Sequence, residues 1–341
     1  MKILHRVLKS LLLIVVLTAC SGKAFDTVQT PMCRVEQIYL SPPWSDDSSE
    51  FSGMAWYGDE LILLPQYPNR INIEGKSGWL LAMPREEIET YLQTKSKKEL
   101  QGQAYRFISQ GLEKQIEGFE GYEAIGFSGD IIFLTVEARQ KVGMRGFIVS
   151  GNIERETRTI FLNPAKVIEI LPQTDFSNAS DEALIIHNDR VLTFFEDNGL
   201  AVNPNPVSHQ FNLSLEPMND VRIPNIEFRL TDASTPVDGT FWVINYFFPG
   251  DDHLRSTSDN LPQNPAPGGL RQADLPVERL IKFDIKEDEI RLVPSATILI
   301  ELEKDATARN WEGLEILNSD GFLIVTDKFP GTIFGFCRIL R

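Results

Sequence analysis

From residue 33 onward, apolar residues come in runs of four to six, broken by Gly, Asn, Asp and Ser at short intervals. Five of these stretches have the same shape. FSGMAWYGD (51–59) leads into ELILL (60–64). EGYEAI (120–125) and the turn FSGD (127–130) lead into IIFLTV (131–136). SDEALIIHND (180–189) leads into RVLTFF (190–195), and TDAS (231–234) passes through PVDG (236–239) into TFWVI (240–244). The last, EGLEI (312–316), runs through LNSDG (317–321) into FLIVT (322–326). Two β-rich runs joined by such turn residues predict a hairpin.

Further apolar runs follow each hairpin: GWLLAM (78–83), RGFIVS (145–150) with TIFL (159–162), HQFNLSL (209–215) and RLIKFDI (279–285). The last unit has a third strand in TIFGFCRIL (332–340) and then ends, one strand short. The run CRVEQIYL (33–40) has no hairpin partner of its own, and letting it complete the last unit closes a ring. Repeated four-stranded units predict an all-β β-propeller of five blades, with room for a sixth in the weaker regions. An open sandwich or a two-domain chain is the competing arrangement. Residues 84–103, with Pro first, acids early and lysines late, read as a helix. Residues 249–276 show no apolar period and read as a long loop of the kind that is often mobile or functional.

The first residues stand apart from this pattern. Lys2, Arg6 and Lys9 precede the apolar run LLLIVV (11–16), which is too short to span a bilayer. LTAC (17–20) then resembles the lipobox of bacterial lipoproteins, and Ser21 resembles the sorting residue of those sent to the outer membrane. Expected, then, are a signal peptide at 1–19, a lipidated Cys20 with a tether through 32, and one propeller domain over 33–341. On this reading the protein is a monomer at the cell envelope, attached to the membrane only through its lipid. Losing 1–19 takes the formal charge from −15 to −18. That balance excludes nucleic acid as a partner, since phosphate backbones need Lys and Arg, and suits cations. Cys33 and Cys337 remain, one near each end of the domain. In an oxidising compartment they read as a disulfide on the closing strand, with two buried thiols as the alternative.

Aligning the units on their apolar positions gives two columns. The first is Ala55, Glu123, Glu182, Asp232 and Glu315. The second is Gln66, Glu137, Glu196, Asn245 and Asp327. In a propeller the inner strands face a central channel, so the acids would ring it. Several carboxylates in one space call for protons or cations, and an all-oxygen set suits Ca²⁺. The other reading is that these acids cap turns and accept backbone N–H bonds.

These Glu-Gly-apolar-Glu units, on an acidic, exported all-β chain, resemble the phytase-like β-propellers, including the esterase-like-of-phytase and SdiA-regulated bacterial families. The resemblance implies Ca²⁺ and phosphoester hydrolysis at a channel mouth, on six blades rather than five. Arg139, Lys141, Arg145 and Lys328 are the cations that could meet a phosphate, although no motif marks them. The sequence favours a module that binds a ligand or protein at an acidic, Ca²⁺-binding mouth, with a Ca²⁺-dependent phosphoesterase as the alternative. Other chemistries lack material. His187, His209 and His253 are scattered, and GFSG (126–129) reads as a turn rather than a nucleophile elbow.

Overall fold

The computed structural model describes residues 30–340 apart from 142, 175–178 and 255–257. The signal peptide and Cys20 therefore lie outside the described residues. Among the described residues, twenty strands fall into five four-stranded antiparallel units, and the short Asn72–Ile73, Lys76–Ser77 and Ile290–Leu292 lie outside them. The first is Phe51–Tyr57, Glu60–Pro65, Trp79–Pro84 and Gln103–Ile108. The second, with longer strands, is Phe119–Ser128, Ile131–Gln140, Gly143–Glu154 and Thr159–Ile170. The third is Asp181–His187, Arg190–Phe195, Val207–Asn212 and Val221–Arg222. The fourth is Arg229–Ala233, Thr240–Phe247, Val277–Ile285 and Ile298–Ile300. The fifth is Trp311–Asn318, Gly321–Thr326, Phe334–Ile339 and the N-terminal strand Met32–Gln37.

The first strand of each unit lies innermost and touches the first strands of the units before and after it, and the fifth returns to the first. The fold is a closed β-propeller. Between blades lie sheet-to-sheet cores of β-branched and aromatic side chains, such as Phe194, Phe241 and Phe283 between the third and fourth units. Trp56 and Trp311 serve packing. Trp311 is fully buried, and Trp56 donates its indole N–H to the Ile316 carbonyl at 3.0 Å beneath the Arg85 guanidinium.

Closure occurs as the sequence predicts. Met32–Gln37 pairs antiparallel with Phe334–Ile339, Val35 opposite Cys337, and Cys33 and Cys337 form a disulfide across Cα atoms 5.2 Å apart. The same N-terminal strand also pairs in parallel with Ile298–Ile300 of the fourth unit. A second parallel pairing joins the outer strands of the first and second units.

Two local expectations change. The helix over 84–103 is confined to Arg85–Thr94, where Lys95 turns into the left-handed region at φ 49°, and Gln103–Ile108 is the missing outer strand of the first blade. The long loop is partly pinned. The fully buried Arg279 side chain pairs with Asp259 at 2.8 Å, and buried Asn264 donates to the Ile300 carbonyl at 2.6 Å while accepting from the Glu278 amide.

Candidate functional site

Each innermost strand loses register with its hairpin partner at the same level. The breaks fall at Ser52, at Glu123–Ala124, at Glu182, at Thr231–Asp232 and at Glu312. A bulge leaves one residue unpaired and re-aims its side chain. Just after the bulge stand Gly53, Ala124, Ala183, Ala233 and Gly313, small because the inner strands crowd together at the axis. A Cβ on Gly53 would lie 3.0 Å from the Glu123 carbonyl, and one on Gly313 would lie 2.6 Å from Val325 Cγ1.

This level corrects the first sequence column. Glu123, Glu182 and Asp232 stand at it, but Ala55 and Glu315 lie three residues beyond. Their counterparts are Ser52 and Glu312. The echo between EGYE and EGLE is out of register, because Gly121 lies opposite Glu137 itself whereas Gly313 lies opposite Val325, two residues short of Asp327.

Glu123, Glu137, Glu182, Glu196 and Glu312 share one space. Burial pushes the Glu123 carboxyl well above the usual range, and the charge of Glu137 adds to it, opposed by a hydrogen bond from Gln66 at 3.0 Å. Glu137 is pushed up to about 7 by burial and by Glu196. Burial first, then Glu196, Glu312, Glu137 and Glu123, raises Glu182 well above its ordinary value. Glu312 is raised likewise by burial, then by Asp327, Glu196 and Glu123. Both side chains keep part of their surface accessible. Glu196 is fully buried and pushed up to about 8 by burial, against the opposing pull of Arg229.

Arg229, the first residue of the fourth innermost strand, is a cation among them. It pairs with Glu196 and, at 3.0 Å, with Asp251 at the start of the long loop. Three buried polar atoms near it have no hydrogen-bond partner: Glu196 Oε2, Asp197 Oδ1 and the Tyr246 hydroxyl. Buried polar atoms are normally satisfied, so these are places for water or ligand atoms.

The other predicted acids are spent on the backbone. Asp232 accepts from the Leu314 amide at 2.7 Å. Glu315 accepts from the Thr235 amide and hydroxyl and from the Ile316 amide. It lines a cavity of about 60 Å³ with Trp56, Phe127, Leu184 and Pro236, at the opposite end of the inner strands. Asp327 accepts from the Phe329 amide at 2.6 Å and from Asn310. For these three the capping role describes the geometry. Among the described residues, no three His, Cys, Asp or Glu side chains stand as a group able to hold a metal ion.

The four candidate phosphate-binding cations do not converge. Arg139 pairs with Glu120, Arg145 with Glu169 and Lys328 with Glu50, and Lys141 is exposed. His209 is taken up by Asp220 and the Leu171 carbonyl. Sequence reasoning missed Ser52, Glu312, Arg229, Asp251 and Tyr246. The signal that finds Glu312 is an acid followed by Gly or Ala on an innermost strand, as in Glu123-Ala124 and Glu182-Ala183.

No family model matches the chain, and no curated protein matches it. The phytase-like kinship therefore stands only as a resemblance of short motifs. Three solved structures are similar to the chain at low identity and TM-score. One is a glycosyl hydrolase from Bacteroides ovatus, 10% identical, covering 92% of this chain and 91% of that one, with a TM-score of 0.43. Another is the α-L-arabinofuranosidase from Podospora anserina in complex with cellotriose, 8% identical, covering 92% and 98%, with a TM-score of 0.44. A third is the GH43 endo-arabinanase from Bacillus licheniformis, 10% identical, covering 87% and 95%, with a TM-score of 0.39. At such identities and TM-scores the likeness carries no conclusion about this chain.

Proposed function

We propose that this protein is a ligand-binding propeller, held at the bacterial cell envelope by a lipid on Cys20, whose acidic axial chamber receives a positively charged ligand. The observation that carries the reading is a charge imbalance. Five carboxylates have their proton affinity raised, first by burial and then by acidic neighbours, and Arg229 is set among them as counter-charge. Protons satisfy that demand at low pH, and above neutrality a cation does so. Calcium, the ion expected from the sequence, suits the donor type because every candidate ligand is an oxygen. The donors do not form a ready cage, so side chains must rotate to take it up.

The test is the thermal midpoint at pH 8 with calcium chloride and with chelator. A site filled at a hundredfold excess over its Kd adds about 2.7 kcal/mol, and the gain should shrink in Glu182→Gln and Glu312→Gln. Identical midpoints with calcium, magnesium, an organic diamine and chelator would overturn the reading. The anchor is tested separately. Cys20→Ser should move the protein from the detergent phase to the aqueous phase, and unchanged partitioning would remove the lipid from the account.

Hydrolysis is the second reading, and one observation favours it. Glu137 at about 7 and Glu196 at about 8 hold protons in the range where a carboxyl serves as a general acid near neutrality. Phosphoester substrates have no cation wall to meet here. A screen of chromogenic glycosides and p-nitrophenyl phosphate, with Glu137→Gln alongside, decides it. Glycosides enter because the solved structures above carry that activity in their names. No turnover of either would leave the binding reading alone.

A further inference from the structure

We infer that Arg229 lowers the affinity of the axial acidic cluster for added cations by standing in for one. The inference rests on the proposed binding function and adds what that reading does not say: the site carries its own competitor. Blade four has the bulge but not a free carboxylate, because Asp232 is bonded to the Leu314 amide. What this blade contributes instead is a guanidinium, from the residue at the start of the same strand.

The backbone of Arg229 is held on both sides. It bridges Asp197 of the third blade, pairs with Tyr246 of its own blade, and its carbonyl accepts from Asn245 at 3.0 Å. The next residue, Leu230, donates to the Glu196 carbonyl at 2.9 Å. With its backbone fixed, the side chain reaches Glu196 and Asp251, and its field extends to Glu182, Asp197 and Glu312. Only about a fifth of the side chain is exposed, and the Glu196 carboxylate it pairs with is 1% exposed. This positive charge, about four-fifths buried, does part of the work of a metal ion.

The unpartnered Glu196 Oε2 and Tyr246 hydroxyl show that the guanidinium does not use up the site. An incoming cation meets oxygens still free to bind it and a positive charge it must displace or share with. The repulsion grows with the charge of the incoming ion, so a ligand that also brings hydrogen bonds to the free oxygens is favoured over a bare ion.

The experiment is a calcium titration read by thermal midpoint, on wild type, Arg229→Gln and Arg229→Lys. Removing one like charge from the chamber should lower the half-saturating calcium concentration by roughly tenfold or more, a coupling of ordinary size. Arg229→Lys keeps the charge and should titrate near the wild type. Should Arg229→Gln fail to fold, Glu196→Gln is compared with Glu196→Gln/Arg229→Gln, which removes the buried pair together, and the same drop is expected. Equal half-saturation with and without Arg229 overturns the inference and leaves the binding reading intact. A Lys variant that behaves like Gln overturns it as well, since charge would then not be the cause. Absence of any calcium response in all the proteins overturns the binding reading itself.

Discussion

Replacing Glu137 with glutamine should stabilise the protein at pH 8 and change little at pH 5. The carboxyl lies on the second strand of the second blade, 9% exposed. Burial is the largest influence on it. Glu196 and Glu120 push its proton affinity further up, and Ser180 and Arg139 pull it down, for a result of about 7 against an ordinary 4.5. The folded state therefore holds this proton more tightly than the unfolded chain does. Its contribution is present in full below the unfolded value and is lost as pH rises from about 4.5 to about 7. At about 1.4 kcal/mol per unit, the loss comes to about 3 kcal/mol. Glutamine imitates the protonated acid at every pH. The gap between variant and wild type should accordingly open across that window and reach about 3 kcal/mol by pH 8. Urea midpoints at pH 5, 6, 7 and 8, all in chelator, measure it. A gap that does not change with pH would refute the argument. So would a wild type more stable than the variant at pH 8, since Glu137 would then be an ionised, compensated carboxylate.

Two further outcomes follow from the ring and its loop. Cys33→Ala/Cys337→Ala should lower stability by about 4–5 kcal/mol, because the bond closes a loop between residues 304 apart; a urea midpoint within error of the wild type would make the strand pairing alone sufficient. Asp259→Asn leaves Arg279 buried and uncompensated, at a cost of about 3–5 kcal/mol, and should expose residues 249–276 to limited proteolysis. An unchanged cleavage rate would mean that Asn264, not the ion pair, holds the loop.

The architecture was readable because its determinants are local and repeated. Hairpins announce themselves through turn residues, and a unit one strand short at one end of the chain beside an unpaired strand at the other leaves few arrangements. The axial site was harder, for a geometrical reason. A bulge inserts a residue without leaving a mark in the apolar pattern, so aligning Glu315 with Glu123 looks natural until the pairing partners are known. Glu312 was hidden by that slip of three. Arg229 was hidden differently: a lone arginine before an apolar run reads as solvated surface, and only the approach of Asp251 from a loop and Glu196 from the neighbouring blade gives it a role. Asp232, Glu315 and Asp327 teach the converse. An acid at a strand end is as easily taken up by amide hydrogens as by a ligand, and composition does not distinguish the two.

The closure of the ring also imposes an order of events. Of the described strands Met32–Gln37 is synthesised first, and its antiparallel partner Phe334–Ile339 follows some three hundred residues later. Through nearly the whole of synthesis the first-made strand has no hydrogen-bonded neighbour from the final blade, and an unpaired strand is a template for pairing with another chain. Four blades can assemble as they emerge, but the fifth waits for both ends of the polypeptide. The oxidation of Cys33 and Cys337 thus reports that the ring has closed. A truncation anywhere before residue 334 leaves a propeller that cannot lock, with one edge open to aggregation or to degradation.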